Sequence, residues 1–288
     1  MLTFLNKRAM VKSSIDFDYL RQLVRENSAV ALDADKEYLA ELHLEPLAEL
    51  AGFDSIGSFV KHLQTQPFND LHMQAIEALV TNETLFFRDI HPFEALKNFV
   101  LPELLKQRAV SLSLNIWCAA CSSGQEPYSI AMLIREYFPM LTNWRLQLIA
   151  SDFSSKILAR ARKGRYNQLE VNRGLGENLL RRYFQQQDNE WQIDENIRSL
   201  VEFRQLNLIH SWPSLPAMDI IFMRNVLIYF DTETKKAILG KVRQLLKPDG
   251  YLFLGGGETT INLDDSFERI QFNKSVCYRL HNSKWNIG

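Results

Sequence analysis

The chain of 288 residues predicts an α/β protein, a doubly wound, mainly parallel sheet with an inserted antiparallel β-ribbon, preceded by a small all-α N-terminal domain. Three observations carry that prediction. From about residue 112, short apolar runs alternate with helical periodicity, the pattern of parallel strands joined by right-handed crossovers. Before residue 80 only helical stripes occur, and between 165 and 210 the alternation gives way to short segments of period two. The predicted boundaries are 1–80 for the helical domain and 81–288 for the α/β domain, with the ribbon at about 185–205.

In the N-terminal domain Phe17, Leu20, Leu23 and Val24 make one helical stripe, and Leu39, Leu42, Leu47 and Leu50 carry apolar material across Pro46. Ile56, Phe59, Val60 and Leu63 fall at i, i+3, i+4 and i+7 behind Asp54, a candidate N-cap. Pro67-Phe68-Asn69-Asp70 breaks the chain before a linking helix at 70–80. In the second domain the expected order is a strand Leu112 to Cys118, a helix Glu126 to Phe138, a strand Arg145 to Ser151 and a helix at 154–163. Trp191 to Ile193 and Val201 to Arg204 then form the ribbon. A strand Asp219 to Met223, a helix at 233–246, a turn Lys247-Pro248-Asp249-Gly250 and strands Tyr251 to Leu254 and Ser275 to Leu280 complete the chain.

Composition narrows the function. A net charge of -1 gives no general attraction to phosphate backbones, so nucleic acid is not an expected partner. The first 80 residues hold 7 basic against 12 acidic side chains and the remainder 26 against 22, an asymmetry that two solvated surfaces account for. No run approaches the roughly 18 apolar residues of a membrane span, and the N-terminus lacks the charged-then-apolar order of a signal peptide. A cytoplasmic protein with no direct membrane insertion, acting as a monomer, is expected. Cys118, Cys121 and Cys277 are an odd number in a large chain. Cys118-Ala-Ala-Cys121 has the spacing of a zinc or redox pair, but a structural zinc takes four ligands and no second such pair exists, so packing cysteines and no metal are expected.

Three stretches could carry chemistry. The continuous apolar run Asp219 to Met223 reads as a strand covered on both faces and leads into Arg224, Asn225 and Tyr229, which would face the crevice beyond the carboxyl ends of the strands. A solvated arginine loop is the plain alternative. The first strand leads into Ala119-Ala120-Cys121-Ser122-Ser123-Gly124 and a helix opened by Gln125-Glu126-Pro127-Tyr128, a small-residue loop that lets a ligand approach the backbone. With one glycine rather than G-x-G-x-x-G, pyrophosphate binding is disfavoured. Glu126 suits a ligand carrying an ammonium group, and Asp152, ending the second strand, suits ribose hydroxyls, although it could simply be an N-cap. Together these describe a site for S-adenosylmethionine, with a nicotinamide cofactor or a non-catalytic nucleotide fold as alternatives. Thr81-Asn82-Glu83-Thr84-Leu85-Phe86-Phe87-Arg88 is the third stretch.

With Asn82-x-Thr84-x-Phe86-Phe87-Arg88, Ala119 to Ser129, Ala150-Ser151-Asp152, Gln205-x-Asn207-Leu208 and Arg224 to Phe230 in this order, the sequence resembles the CheR-type chemotaxis methyltransferases over about residues 15 to 280. The resemblance implies a class I S-adenosylmethionine-methyltransferase-like domain that moves a methyl group onto glutamate side chains in the cytoplasmic helices of methyl-accepting chemoreceptors. It implies that Asn82, Thr84, Arg88, Glu126, Asp152, Asn207, Leu208, Met223 and Arg224 line the cofactor, with Asn225 alongside, and that Arg88 and Tyr229 lie nearest the transferred methyl. A glutamate of ordinary pKa about 4.3 is already an anion at neutral pH, so such chemistry requires alignment and no general base. Two departures from the family pattern are Gln125, where a second acid is common, and Gly255-Gly256-Gly257-Glu258, where Gly-His-Ser-Glu is common. Two rival readings are a regulatory module that binds the cofactor or its product without transfer, and an amine or nucleic-acid methyltransferase, which would call for an Asp/Asn-Pro-Pro-Tyr/Phe element in place of Arg224-Asn225-Val226-Leu227.

Overall fold

The structure, a computed structural model, describes residues 16–32, 37–80 and 83–281, and divides into two compact units, Met1–Thr81 and Asn82–Gly288. The first unit contains helices Phe17–Ser28, Glu37–Leu50, Ile56–Thr65 and Asp70–Leu79. Asp16 caps the first by accepting the Tyr19 N–H at 2.9 Å, and Leu20, Leu23 and Val24 form its buried face. The third helix is capped by Ser55 rather than the expected Asp54, in a reciprocal pairing with Ser58 that aspartate one position earlier could not make.

The second helix corrects the expected stripe. Leu42 and Leu50 are 63% and 86% exposed, and the buried row is Ala40, Leu44 and Ala48, while the side chain of Leu39 lies outside the described residues. The buried row follows the i, i+4 spacing and mixes one leucine with two alanines, which lets a neighbouring helix come close. Pro46 stays inside the helix on its exposed side. In the fourth helix buried His72 sets its Nε2 2.9 Å from the Leu63 carbonyl, tying that helix to the third.

The second unit is built on ten strands: β1 (Ser113–Ala119), β2 (Arg145–Asp152), β3 (Arg165–Asn167), β4 (Phe184–Gln187), β5 (Glu190–Ile193), β6 (Val201–Gln205), β7 (Met218–Met223), β8 (Leu246–Leu254), β9 (Phe267–Phe272) and β10 (Ser275–Leu280). Seven of them form one sheet in the order β6-β2-β1-β7-β8-β10-β9, parallel from β6 to β8, with β10 antiparallel to both its neighbours. The chain leaves β1 towards β2 and β6 on one side and returns to β7 on the other. The strand order therefore reverses between β1 and β7, the place where open α/β sheets bind ligands.

The inserted ribbon is a separate three-stranded antiparallel sheet, β3-β5-β4, at 165–193. Val201 to Arg204, expected to be part of it, is instead the parallel edge strand β6 beside β2. Its alternating pattern is what an edge strand with one covered face also shows, so periodicity cannot name its partner. The Lys247-Pro248-Asp249-Gly250 turn is an irregularity within β8: Met218 faces Leu246 but Ile220 faces Tyr251. A Cβ on Gly250 would lie 2.8 Å from Leu246 Cδ1 and 3.0 Å from the Asp219 carbonyl oxygen, so glycine lets the bend pack closely against β7.

A buried charge cluster pins the end of the sheet where β7 begins. Fully buried Asp219 accepts Arg108 Nε at 2.7 Å, Lys247 Nζ at 2.8 and 2.9 Å, and the Asn115 N–H at 2.8 Å. Arg108 also forks onto Asp249 at 2.7 and 2.5 Å, which joins the end of the helix that precedes β1 to β7 and to the β8 bend. Replacing Asp219 with alanine leaves Lys247 and the Asn115 N–H without their acceptor and Arg108 with Asp249 alone, and should cost about 3 kcal/mol of unfolding free energy in denaturant titration. Arg108 holds the Asp249 carboxyl below the usual carboxylate range. Its contribution is complete above that range and is lost as pH falls through the lowered value. An Asp249→Asn variant should accordingly be less stable at neutral pH and show a flatter loss of stability on acidification, measured by melting temperature against pH.

Candidate functional site

The carboxyl ends of β1, β2, β6 and β7 bring four segments together. After β1 the chain turns sharply, with positive φ at Ala120 (54°), Ser122 (50°) and Gly124 (94°). The Cys121 N–H donates to the Ser151 carbonyl at 2.9 Å, and the Tyr166 hydroxyl donates to the Ser123 carbonyl at 2.8 Å, which holds the loop open as a shelf. A Cβ on Gly124 would meet Ala161 Cβ at 3.1 Å and the Tyr128 ring at 3.2 Å, so glycine lets the loop sit against helix Ser155–Lys163.

Asp152, buried at the end of β2, accepts the Ser122 N–H at 2.9 Å and the Ser154 N–H at 3.1 Å. It latches the shelf to β2. The N-cap of the following helix is Ser154, whose side chain accepts the Ile157 N–H at 3.0 Å, so Asp152 is not that cap. A carboxylate has about four lone-pair directions, and latching is compatible with receiving ribose hydroxyls as well.

Glu126 opens helix Gln125–Tyr137 and is buried, and burial pushes its carboxyl above the usual range while the Arg224 guanidinium opposes that rise. Arg224 Nη1 reaches Glu126 at 2.8 Å, and Nη2 reaches the Arg88 carbonyl at 2.9 Å and Asp89 Oδ2 at 2.7 Å. Two residues expected to face a cofactor separately are therefore paired with each other. Arg88 is half-buried, donates to the Glu83 carbonyl at 3.3 Å and lies close enough for its charge to act on Glu126. The turn that carries it is strained, with positive φ at Phe87 (48°), Asp89 (64°) and Ile90 (28°), conformations rarely adopted outside glycine. It is held by the Phe87 N–H on Ser129 Oγ at 2.9 Å, and by Gly174, where a Cβ would lie 1.9 Å from the Phe86 carbonyl oxygen.

On the β7 side Met223 is fully buried, and Asn225 turns the chain with φ of 58° into the 3-10 turn Leu227–Tyr229, where Tyr229 is half-buried. Sequence reasoning assigned no role to the residue that fixes this turn. Glu258 accepts the N–H groups of Asn225 and Gly255 on one oxygen at 2.8 and 2.6 Å, and those of Val226 and Ile228 on the other at 2.9 and 3.2 Å. A carboxylate directly after a glycine run beyond a strand was the available signal.

Beyond β6, Asn207 is half-buried and accepts the Ile209 N–H at 3.2 Å, and Leu208 is buried. Lys241 Nζ donates to the carbonyls of Leu208 and His210, both at 2.7 Å, and Trp212 Nε1 donates to the Leu208 carbonyl at 3.1 Å, two further supports that the sequence did not flag. Thr84 is half-buried on the approach to the Arg88 turn, and Asn82 lies outside the described residues. Cys118, Cys121 and Cys277 are buried free thiols, each pushed up chiefly by burial. Among the described residues no group of three or more His, Cys, Asp or Glu side chains could hold a metal ion, and no helix is long and apolar enough to cross a membrane.

The shelf carries a single glycine rather than the glycine-rich turn of a pyrophosphate site, so together with the latching carboxylate and the buried acid it fits a nucleoside that carries an amino-acid tail better than a dinucleotide. Replacing Glu258 with alanine strands four N–H groups and should lower stability by about 2 kcal/mol in chemical denaturation, with a larger loss of any activity that uses Tyr229.

The description "CheR methyltransferase, SAM binding domain" matches residues 82–276. The chain is 41% identical over 274 residues to "Chemotaxis protein methyltransferase Cher2" of Pseudomonas putida, covering 94% of this chain and 99% of that one. It is 42% identical over 276 residues to "Chemotaxis protein methyltransferase 1" of Pseudomonas aeruginosa, with the same coverage of 94% and 99%. A Vibrio cholerae protein of the same name is 36% identical over 266 residues, covering 91% of this chain and 95% of that protein.

Proposed function

Because this chain belongs to the CheR methyltransferase family, we propose that it methylates glutamate side chains in the cytoplasmic helices of methyl-accepting chemoreceptors, giving glutamyl methyl esters. It is an S-adenosylmethionine-dependent methyltransferase acting in chemotaxis. When bound, S-adenosylmethionine supplies an electrophilic methyl group on a sulfonium.

The observation that carries the glutamate reading is the state of the site's own acids. Glu126 and Asp89 take the Arg224 guanidinium, Asp152 takes two backbone N–H groups and Glu258 takes four. Each is engaged as an anchor, an arrangement that does not call for a base. A carboxylate acceptor needs none, since it is ionised at neutral pH, whereas an ammonium acceptor would first have to lose a proton. In this reading Asp152 holds ribose hydroxyls, while Glu126, Asn207 and the shelf set the position of the donor. Arg88 steers the incoming carboxylate and Tyr229 hydrogen-bonds it. The carboxylate that Arg88 steers in this reading must still be able to react, so the contribution of Arg88 is orientation rather than tight binding.

The test is transfer of tritium from methyl-labelled S-adenosylmethionine into membranes carrying candidate chemoreceptors, followed by mild alkali to release volatile methanol. Base-labile label is expected, and an Arg88→Ala variant should lose about 100-fold in rate through misalignment while still binding the cofactor. Cofactor binding without label on any receptor would turn the reading towards a regulatory binding module.

A further inference from the structure

Arg224 also lines a second pocket, of about 460 Å³, bounded by the Asp89–Pro92 turn, the Gly255–Thr259 loop and the end of the β9–β10 hairpin; Glu126 is not part of its lining. Both acids in that lining, Asp89 and Glu258, are engaged within the protein, by Arg224 and by backbone N–H groups respectively. Two of its cations, Arg269 and Lys274, are not balanced in the same way. Exposed Arg269 donates to the neutral Gln271 Oε1 at 2.8 Å, and exposed Lys274 has no ion-pair partner among the described residues. The wall also contains two buried polar atoms without a hydrogen-bond partner among the described residues, Arg224 Nε and Ser275 Oγ. Those two atoms have almost no exposed surface, so the groups an occupant would meet are the exposed cations Arg269 and Lys274. The pocket is thus prepared for an anionic, hydrogen-bond-accepting group.

Its position says which one. Asp89 directly follows Arg88, and the Gly255–Glu258 segment fixes the turn that ends in Tyr229. Because the pocket wall is continuous in chain with the segments that carry Arg88 and Tyr229, an acceptor segment whose carboxylate reaches those two residues would bring its neighbouring side chains towards this pocket. On a helix, the neighbours on one face stand three or four residues apart. We propose that the pocket receives a second acidic side chain of the acceptor helix, one turn from the methylated glutamate, and that Arg269 and Lys274 make the enzyme select acceptors carrying that acid. The proposal rests on the glutamate-methylation reading above.

The experiment uses the full chain and synthetic helical peptides with one methylatable glutamate, flanked at the third or fourth position on either side by Glu or by Gln. The wild-type protein should show kcat/KM about tenfold higher on the best Glu-flanked peptide, the size expected of a hydrogen bond to a charged group. An Arg269→Gln, Lys274→Gln double variant should lose that preference by slowing only on the Glu-flanked peptide, with calorimetric cofactor affinity unchanged as the check on folding. A Lys274→Glu variant should shift preference towards a Lys-flanked peptide, and raised salt should erode the wild-type preference. Equal rates on both peptides in the wild type, or a preference that survives in the double variant, overturns the proposal. If no peptide is methylated although the cofactor binds, the methylation reading fails by itself. Fluorescence anisotropy with the same peptides then decides the pocket: tighter binding of the Glu-flanked peptide that the double variant loses sustains it, and charge-blind binding overturns it.

Discussion

The site depends on one buried guanidinium. Arg224 is almost fully enclosed, and its two terminal nitrogens reach three groups on two segments distant in sequence: Glu126 at the start of its helix, and the carbonyl of Arg88 with the carboxylate of Asp89 in the turn before β1. Burying such a charge is unfavourable unless its partners are in place, so the fork acts as a geometric condition as well as an attraction. Glu126 sits where burial would otherwise favour its neutral form, and Arg224 opposes that. Lysine could not substitute, because a point charge on a flexible stem does not span three acceptors in a fixed plane.

Strand β7 is therefore held by charge at both ends. At its start Asp219 gathers Arg108, Lys247 and the Asn115 N–H, and just past its end Arg224 gathers the site. Between them runs an entirely buried apolar strand, with Phe222 stacked on Phe253 at 4.5 Å. The hydrophobic middle fixes depth within the sheet and the two charge clusters fix position along it. The reactive turn leaves from the second cluster, so its placement inherits the rigidity of the sheet rather than the freedom of a loop.

Much of this was legible in the sequence where pattern and chemistry coincide. The strands at 113–119, 145–152, 218–223 and 275–280 follow from apolar runs of the right length, and Asp152 and Arg224 follow from polar residues placed where such runs end. What escaped has a common cause. The partner of Val201–Gln205, the outward turn of Leu42 and Leu50 and the pairing of Glu126 with Arg224 are facts about which surface meets which, and local periodicity carries no record of that. Glu258 escaped because its partners are backbone N–H groups, which every sequence has and none displays. Lys241 and Trp212, bound to carbonyls, escaped for the same reason.

The missing Cβ of Gly174 has a mechanical consequence. The Phe86 carbonyl fills the space that a side chain there would need, and Phe86 stands two residues before Arg88 in a turn already held in uncommon φ angles. The ring of Phe86 also meets Tyr166 and Phe184, at 5.0 and 5.6 Å, and these belong to the small antiparallel sheet. That sheet and the arginine turn consequently behave as a lever and its fulcrum. A load on the ribbon reaches the turn through three packed aromatic rings, and the Gly174 backbone bearing on the Phe86 carbonyl limits how far the turn can yield.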